Sequence, residues 1–96
     1  MSKQVISAIV CSLALGGATL GVSAQAADRG FCQGYARAAV VQFRAAAHND
    51  RCRGLLRDDA AWSPDFRHHF DWCLTVDRRE ANGQRQSRKD ALDHCA

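Results

Sequence analysis

Two histidine–cysteine pairs share one spacing. His48 and Cys52 are four residues apart, and so are His69 and Cys73. On a helix that separation puts both side chains on one face, and two His with two Cys make a tetrahedral zinc set. This is the sharpest chemistry the residue types offer. Against it, no Cys-x2-Cys knuckle accompanies the pairs. Cys52 also falls past the expected end of its helix, and His48 falls opposite the apolar face. The set His48, Cys52, His69 and Cys73 is therefore kept as an alternative, with no metal or other cofactor in the main reading.

The stretch from Trp62 to Cys73, WSPDFRHHFDWC, concentrates the other candidates. His69 falls on the apolar side of its segment, one turn after Asp65. The simpler reading is a part-buried histidine held by Asp65, and the sharper one is a ligand or pH-sensing role. Trp62 and Trp72 act either as core lids or as an aromatic platform. A domain this small has few other large residues, which favours the core. If a binding surface exists, it lies at Trp62, His68, Trp72 and nearby arginines.

Enzyme signatures are absent. After residue 26 the only serines are Ser63 and Ser87, and both read as helix caps. There is no Gly-x-Ser-x-Gly, His-Glu-x-x-His or Cys-x-x-Cys-His motif. Asp58 and Asp59 are adjacent, and they read as solvated loop charge rather than a catalytic dyad. The expectation is a non-enzymatic protein.

The elements that carry these residues must fit in a short chain. The sequence has 96 residues. Residues 1–26 resemble a secretory signal peptide: Lys3 is the only charge, an apolar run follows over 5–22, and Ala24-Gln25-Ala26 makes a small-x-small cleavage site. A membrane anchor is the second choice, because the run is rich in Gly, Ala, Ser and Thr and weakly hydrophobic for a span. Cleavage leaves one domain, 27–96, periplasmic or secreted, with no stable membrane span.

At that size a hydrophobic core alone supplies only roughly 3–5 kcal/mol. Four cysteines remain after the leader, Cys32, Cys52, Cys73 and Cys95. An even number in a small exported chain reads as two disulfides. With Lys3 removed, 12 basic and 10 acidic residues alternate along the chain. That is a mixed-sign solvated surface, not a nucleic-acid stripe.

No stretch alternates as a strand does, and three helical segments stand out. The first covers about 30–49, with Cys32, Tyr35, Ala36, Ala39, Phe43, Ala46 and Ala47 inward. The second is expected to start at a Ser63 cap with Pro64 as its first residue and to end at Asn82-Gly83. Its inward face carries Phe66, His69, Phe70, Cys73 and Val76. The third runs from about Ser87 to Cys95, with Leu92 and Cys95 inward. Between the first two, Leu55 and Leu56 plug one end of the bundle. The fold class is all-α: a small three-helix, disulfide-stapled bundle.

Geometry narrows the pairing. Cys32 and Cys52 bracket a helix of about 20 residues, so they lie roughly 30 Å apart. A disulfide needs Cα atoms within about 7 Å. An up-down-up path favours Cys32–Cys73 with Cys52–Cys95. The alternative, Cys52–Cys73 with Cys32–Cys95, stays open because the connection can double back.

Three motifs carry a resemblance: Cys-x2-Tyr-Ala from Cys32, Trp-x2-Asp-Phe-x2-His-Phe-x-Trp-Cys from Trp62, and Arg-x3-Leu-x2-Cys from Arg88. The layout resembles uncharacterised small exported four-cysteine helical proteins of proteobacteria. The resemblance covers most of 27–96. It implies export and the four-cysteine frame, and it carries no catalytic residue. The expected function is a small periplasmic or secreted binding or interaction protein. Metal handling and an envelope inhibitor or stress-protective role are the alternatives. An envelope protein or a small ligand would be the partner.

Overall fold

Asp28 starts the first helix. In the computed structural model, which describes residues 25–96, its Oδ1 accepts the Phe31 amide at 2.8 Å. The carboxylate thus satisfies one of the amides that a helix start leaves without a partner. Its other oxygen pairs with Arg78 at 3.0 Å. The Phe31 amide, then Arg78, hold the Asp28 carboxyl below its ordinary range. The expected leader lies outside the described residues, apart from Gln25 and Ala26.

Helix α1 spans Arg29–Ala47. Its buried residues are Cys32, Tyr35, Ala36, Ala39 and Ala46, the face expected from the spacing. Phe43 and Ala47 are half-buried, while Gln33, Arg37, Arg44 and His48 are exposed. Alanine contributes little apolar area, but it lets a neighbouring backbone come close. A 3-10 helix, Asp50–Arg57, follows, capped by the Asn49 side chain on the Arg51 amide.

Helix α2 is short, Phe66–Cys73, and helix α3 is long, Arg78–Cys95. These bounds correct two expectations. First, α2 starts at an Asp65 cap, not at Ser63 and Pro64. A helix begun at Pro64 would send the Arg67 amide to the Ser63 carbonyl. That amide goes instead to Asp65 Oδ1 at 2.9 Å, and the Ser63 carbonyl is taken by His69 at 2.8 Å. Ser63 Oγ accepts from the Asp65 amide, making a tight turn ahead of the helix.

Second, the break between helices falls at 74–77, not at Asn82-Gly83. Asp77 caps α3 by accepting the Glu80 amide at 2.8 Å. Gly83 sits inside α3 on open surface, with nothing within 4 Å of where its Cβ would be. An interior glycine costs only about 1 kcal/mol against alanine. The cap and the buried Ala81 and Arg88 outweigh it. Ser87 is accordingly a mid-helix residue rather than a cap.

The disulfides pair Cys32 with Cys73 and Cys52 with Cys95, with Cα atoms 5.6 and 5.2 Å apart. The favoured connectivity holds. Each closes a loop of sequence separation 41 or 43, for which the chain-entropy account gives about 4 kcal/mol. The loops overlap, so the second contributes less once the first is closed.

The core divides into two clusters. One gathers Ala27, Cys32, Tyr35, Ala36, Phe70, Cys73 and Ala81. The Ala27 amide donates to Val76 O at 2.8 Å, tying the incoming chain to this end. The other gathers Ala46, Cys52 and Trp62, with Phe43, Leu55, Leu56, Leu92 and Cys95 around them. Leu55 and Leu56 are thus part of the expected plug. Phe66, expected inward, is 38% exposed and stacks on Phe70, with centroids 5.9 Å apart.

Candidate functional site

Arg88 lies in the middle of α3, where the two apolar clusters meet. It is seven residues after Ala81 and seven before Cys95, so it shares their inward face. Only 3% of its surface is exposed. Its Nε donates to Gln42 Oε1 at 2.7 Å, one Nη to the Ala61 carbonyl at 3.3 Å, and the other to Tyr35 Oη at 2.8 Å. The guanidinium carbon lies 5.2 Å from the Tyr35 ring centroid. One side chain thus joins α1, the loop before α2, and α3.

Every partner of this buried cation is neutral. Arg88 forms no ion pair with a carboxylate among the described residues. A buried charge without a counter-charge is costly. A guanidinium has five N–H donors, and two of them have no acceptor among the described residues. The Tyr35 hydroxyl receives a bond from Arg88 and gives none.

Arg88 forms part of the wall of a cleft of about 230 Å³ that opens to solvent. Tyr35, His68, His69, Trp72 and Arg88 line it, with Asp58, Ala60, Ala61 and Gln84 completing the wall. The Tyr35 and Trp72 rings lie 5.6 Å apart at 39°.

The two histidines are oriented by carbonyls. His69 Nε2 lies 2.8 Å from Ser63 O, and His68 Nε2 lies 2.8 Å from Ala60 O. A carbonyl cannot donate, so each Nε2 carries the hydrogen. Burial, first, lowers the His69 pKa below its ordinary 6.5. The Ser63 carbonyl opposes that shift, Arg88 and His68 reinforce it, and Asp65 opposes it weakly. His69 is therefore neutral at pH 7, with a lone pair on Nδ1. The expectation that Asp65 holds His69 is corrected: the Ser63 carbonyl does so, because Asp65 is occupied in capping α2.

The structure separates the expected surface residues. His68 and Trp72 meet at the cleft. Trp62 is 6% exposed and packs with Ala46 and Cys52 at the other end. It is a core residue, and no platform forms from it. The zinc set is not assembled. Cys52 and Cys73 belong to different disulfides, and His48 is exposed at the end of α1. No group of three or more potential metal-ligating His, Cys, Asp or Glu occurs among the described residues.

Sequence reasoning missed Arg88 as a site residue, along with Tyr35, Asp58 and Gln84. Asp58 is exposed, and its Oδ1 accepts from the Ala61 amide at 3.4 Å. The available signal was the seven-residue spacing from Arg88 to Cys95. It was masked by the ten other arginines after the leader, which are all exposed.

Comparison with protein-family models, curated proteins and solved structures finds no match for this chain. Two disulfides in a small helical domain fit an extracellular protein. No helix among the described residues is long and apolar enough to cross a membrane.

Proposed function

We propose that this protein is a small exported binding protein, periplasmic or secreted, whose ligand enters the cleft over Arg88. One observation carries the reading: an arginine 3% exposed, with no carboxylate partner among the described residues, on the wall of a cleft open to solvent. A protein that only needed to fill this volume would do so with apolar side chains at lower cost. Concave sites with aromatic walls and a few polar groups are where small ligands bind.

The reading is non-enzymatic. No serine, cysteine, threonine or lysine lines the cleft, and Asp58 is its single carboxylate. Export rests on the leader-like residues 1–26 and on the disulfides. Cleavage after Ala26 leaves a new terminus at Ala27, whose nitrogen already donates to Val76 O. The likeness to small exported four-cysteine proteins belongs to the same proposal.

The test is a fragment screen by heteronuclear NMR on the oxidised protein, with intact mass confirming two disulfides. The expected result is a set of fragments that shift the Trp72 indole, His68 and Gln84 signals together. If no fragment perturbs that group, the cleft is not a binding site and the reading falls.

A further inference from the structure

We infer that the cleft takes a small planar monocarboxylate, with the carboxylate on Arg88 and Tyr35 and the ligand body against Trp72. The inference rests on the proposed binding role and specifies its ligand class.

Three observations select this chemistry. The first is an excess of donors. Two guanidinium N–H groups and the Tyr35 hydroxyl have no acceptor among the described residues. Carboxylate oxygens accept from a guanidinium fork in paired, charge-assisted bonds. The second is charge. Arg88 is the one arginine or lysine on the wall, while Asp58 adds a negative charge at the rim. One guanidinium can neutralise a single negative charge, and a phosphate dianion would meet repulsion from Asp58 without a second cation. The third is shape. The Tyr35 and Trp72 rings flank the cleft. A cavity of about 150 Å³ holds benzene in an engineered lysozyme, so about 230 Å³ has room for a ring and a carboxylate.

His69 completes the polar wall without adding charge at neutral pH, and His68 lies beside it on the wall. Their Nε2 hydrogens are engaged by Ser63 O and Ala60 O. Neutral His69 leaves its Nδ1 as an acceptor, suited to a hydroxyl or amide elsewhere on the ligand.

The experiment titrates the oxidised protein at fixed ionic strength with benzoate, benzamide and inorganic phosphate in turn. Backbone, Trp72 indole and Arg88 Nε signals are followed by NMR. Benzoate and benzamide have nearly the same shape and differ in charge. Benzoate is expected to bind at least about tenfold more tightly, as a charge-assisted bond to arginine requires. Its shifts should centre on Arg88, Tyr35 and Trp72. Equal binding of the two probes, or benzoate shifts centred elsewhere, would overturn the inference. So would phosphate binding more tightly than benzoate.

Arg88→Lys should lower benzoate affinity about tenfold by removing the fork. If that variant misfolds, the benzoate–benzamide pair on the unaltered protein still decides. Gln33→Ala changes an exposed residue of α1 outside the cleft wall and should leave the benzoate preference intact. If benzoate fails while neutral fragments shift the cleft, only the carboxylate assignment falls. If no fragment of any charge shifts it, the binding role falls too.

Discussion

The two ends of α1 solve the same problem with different materials. At its start, the Cys32–Cys73 bridge is sealed, with both cysteines 0% exposed under Tyr35, Phe70 and Ala81. At its finish, the Cys52–Cys95 bridge has one buried sulfur and one partly exposed, beneath Trp62 and half-buried leucines. The first end is closed by a short helix carrying three aromatic side chains, Phe66, Phe70 and Trp72. The second is closed by a 3-10 helix and the last turn of α3. The difference teaches that neither cluster is large enough to hold the molecule alone. Each needs its covalent clamp, and the polar join at Arg88 is where they meet.

Breaking the clamps should give the largest and most unequal effects. The paired change Cys32→Ser with Cys73→Ser is expected to cost about 4 kcal/mol or more, because it also puts hydroxyls into a sealed core. The paired change Cys52→Ser with Cys95→Ser should cost less, about 2–4 kcal/mol. Urea unfolding of both variants checks the order. Graded reduction sharpens the same contrast. The partly exposed Cys52–Cys95 bridge should open first, as read by thiol labelling and peptide mass. Prior opening of Cys32–Cys73 would contradict the ranking of the two ends.

The join is next. Arg88→Ala should destabilise by about 3 kcal/mol, since it strands the Gln42 side chain and the Tyr35 hydroxyl. Arg88→Met, which keeps the volume and removes the buried charge, should cost clearly less. Equal losses would mean that the hydrogen bonds of Arg88, not its packing volume, govern this position.

Smaller effects probe the corrected boundary between α2 and α3. Asp77→Ala removes the cap on the Glu80 amide and should cost about 1 kcal/mol. Gly83→Ala should stabilise by about 0.5–1 kcal/mol, because its Cβ meets nothing. A helix ending at Asn82-Gly83 would give the opposite sign.

How far these features could be read in the sequence depended on which interactions shape each one. The apolar periodicity of α1 was plain, because Cys32, Tyr35, Ala36, Ala39 and Ala46 are its buried residues. Helix length removed one disulfide pairing, and the expected up-down-up path favoured the observed one over the pairing left open. Helix α3 was hidden because its inner face holds a charged residue where a pattern reading looks for an apolar one. Asn82-Gly83 carried a strong stop signal, and local propensity lost to the Asp77 cap and the buried Ala81. Of the site, His68 and Trp72 were legible as exposed or bordering residues of one helix. Their meeting with Tyr35 and Arg88 depends on how α1 and α3 cross, which no local spacing encodes.

The pH effect is the subtlest. The folded His69 pKa lies below the unfolded 6.5, chiefly through burial. The unfolded chain therefore binds more protons in that interval. Stability from neutral His69 is present above 6.5 and declines as pH falls below it toward the folded value. Asp28 acts in a lower window, its contribution fading as pH drops below 3.8 toward its lowered folded pKa. Urea midpoints between pH 7.5 and 5 should decline in the unaltered protein. The decline should be smaller in His69→Gln, which has no proton to gain.

The central claim is that Arg88 waits for an anion from outside the chain. A crystal structure of the oxidised protein soaked in benzoate tests it most directly. The account predicts a carboxylate about 3 Å from the Arg88 guanidinium and the Tyr35 hydroxyl, with the ring beside Trp72. An Arg88 paired instead with the chain's own Asp58, and no benzoate in the cleft, would contradict it.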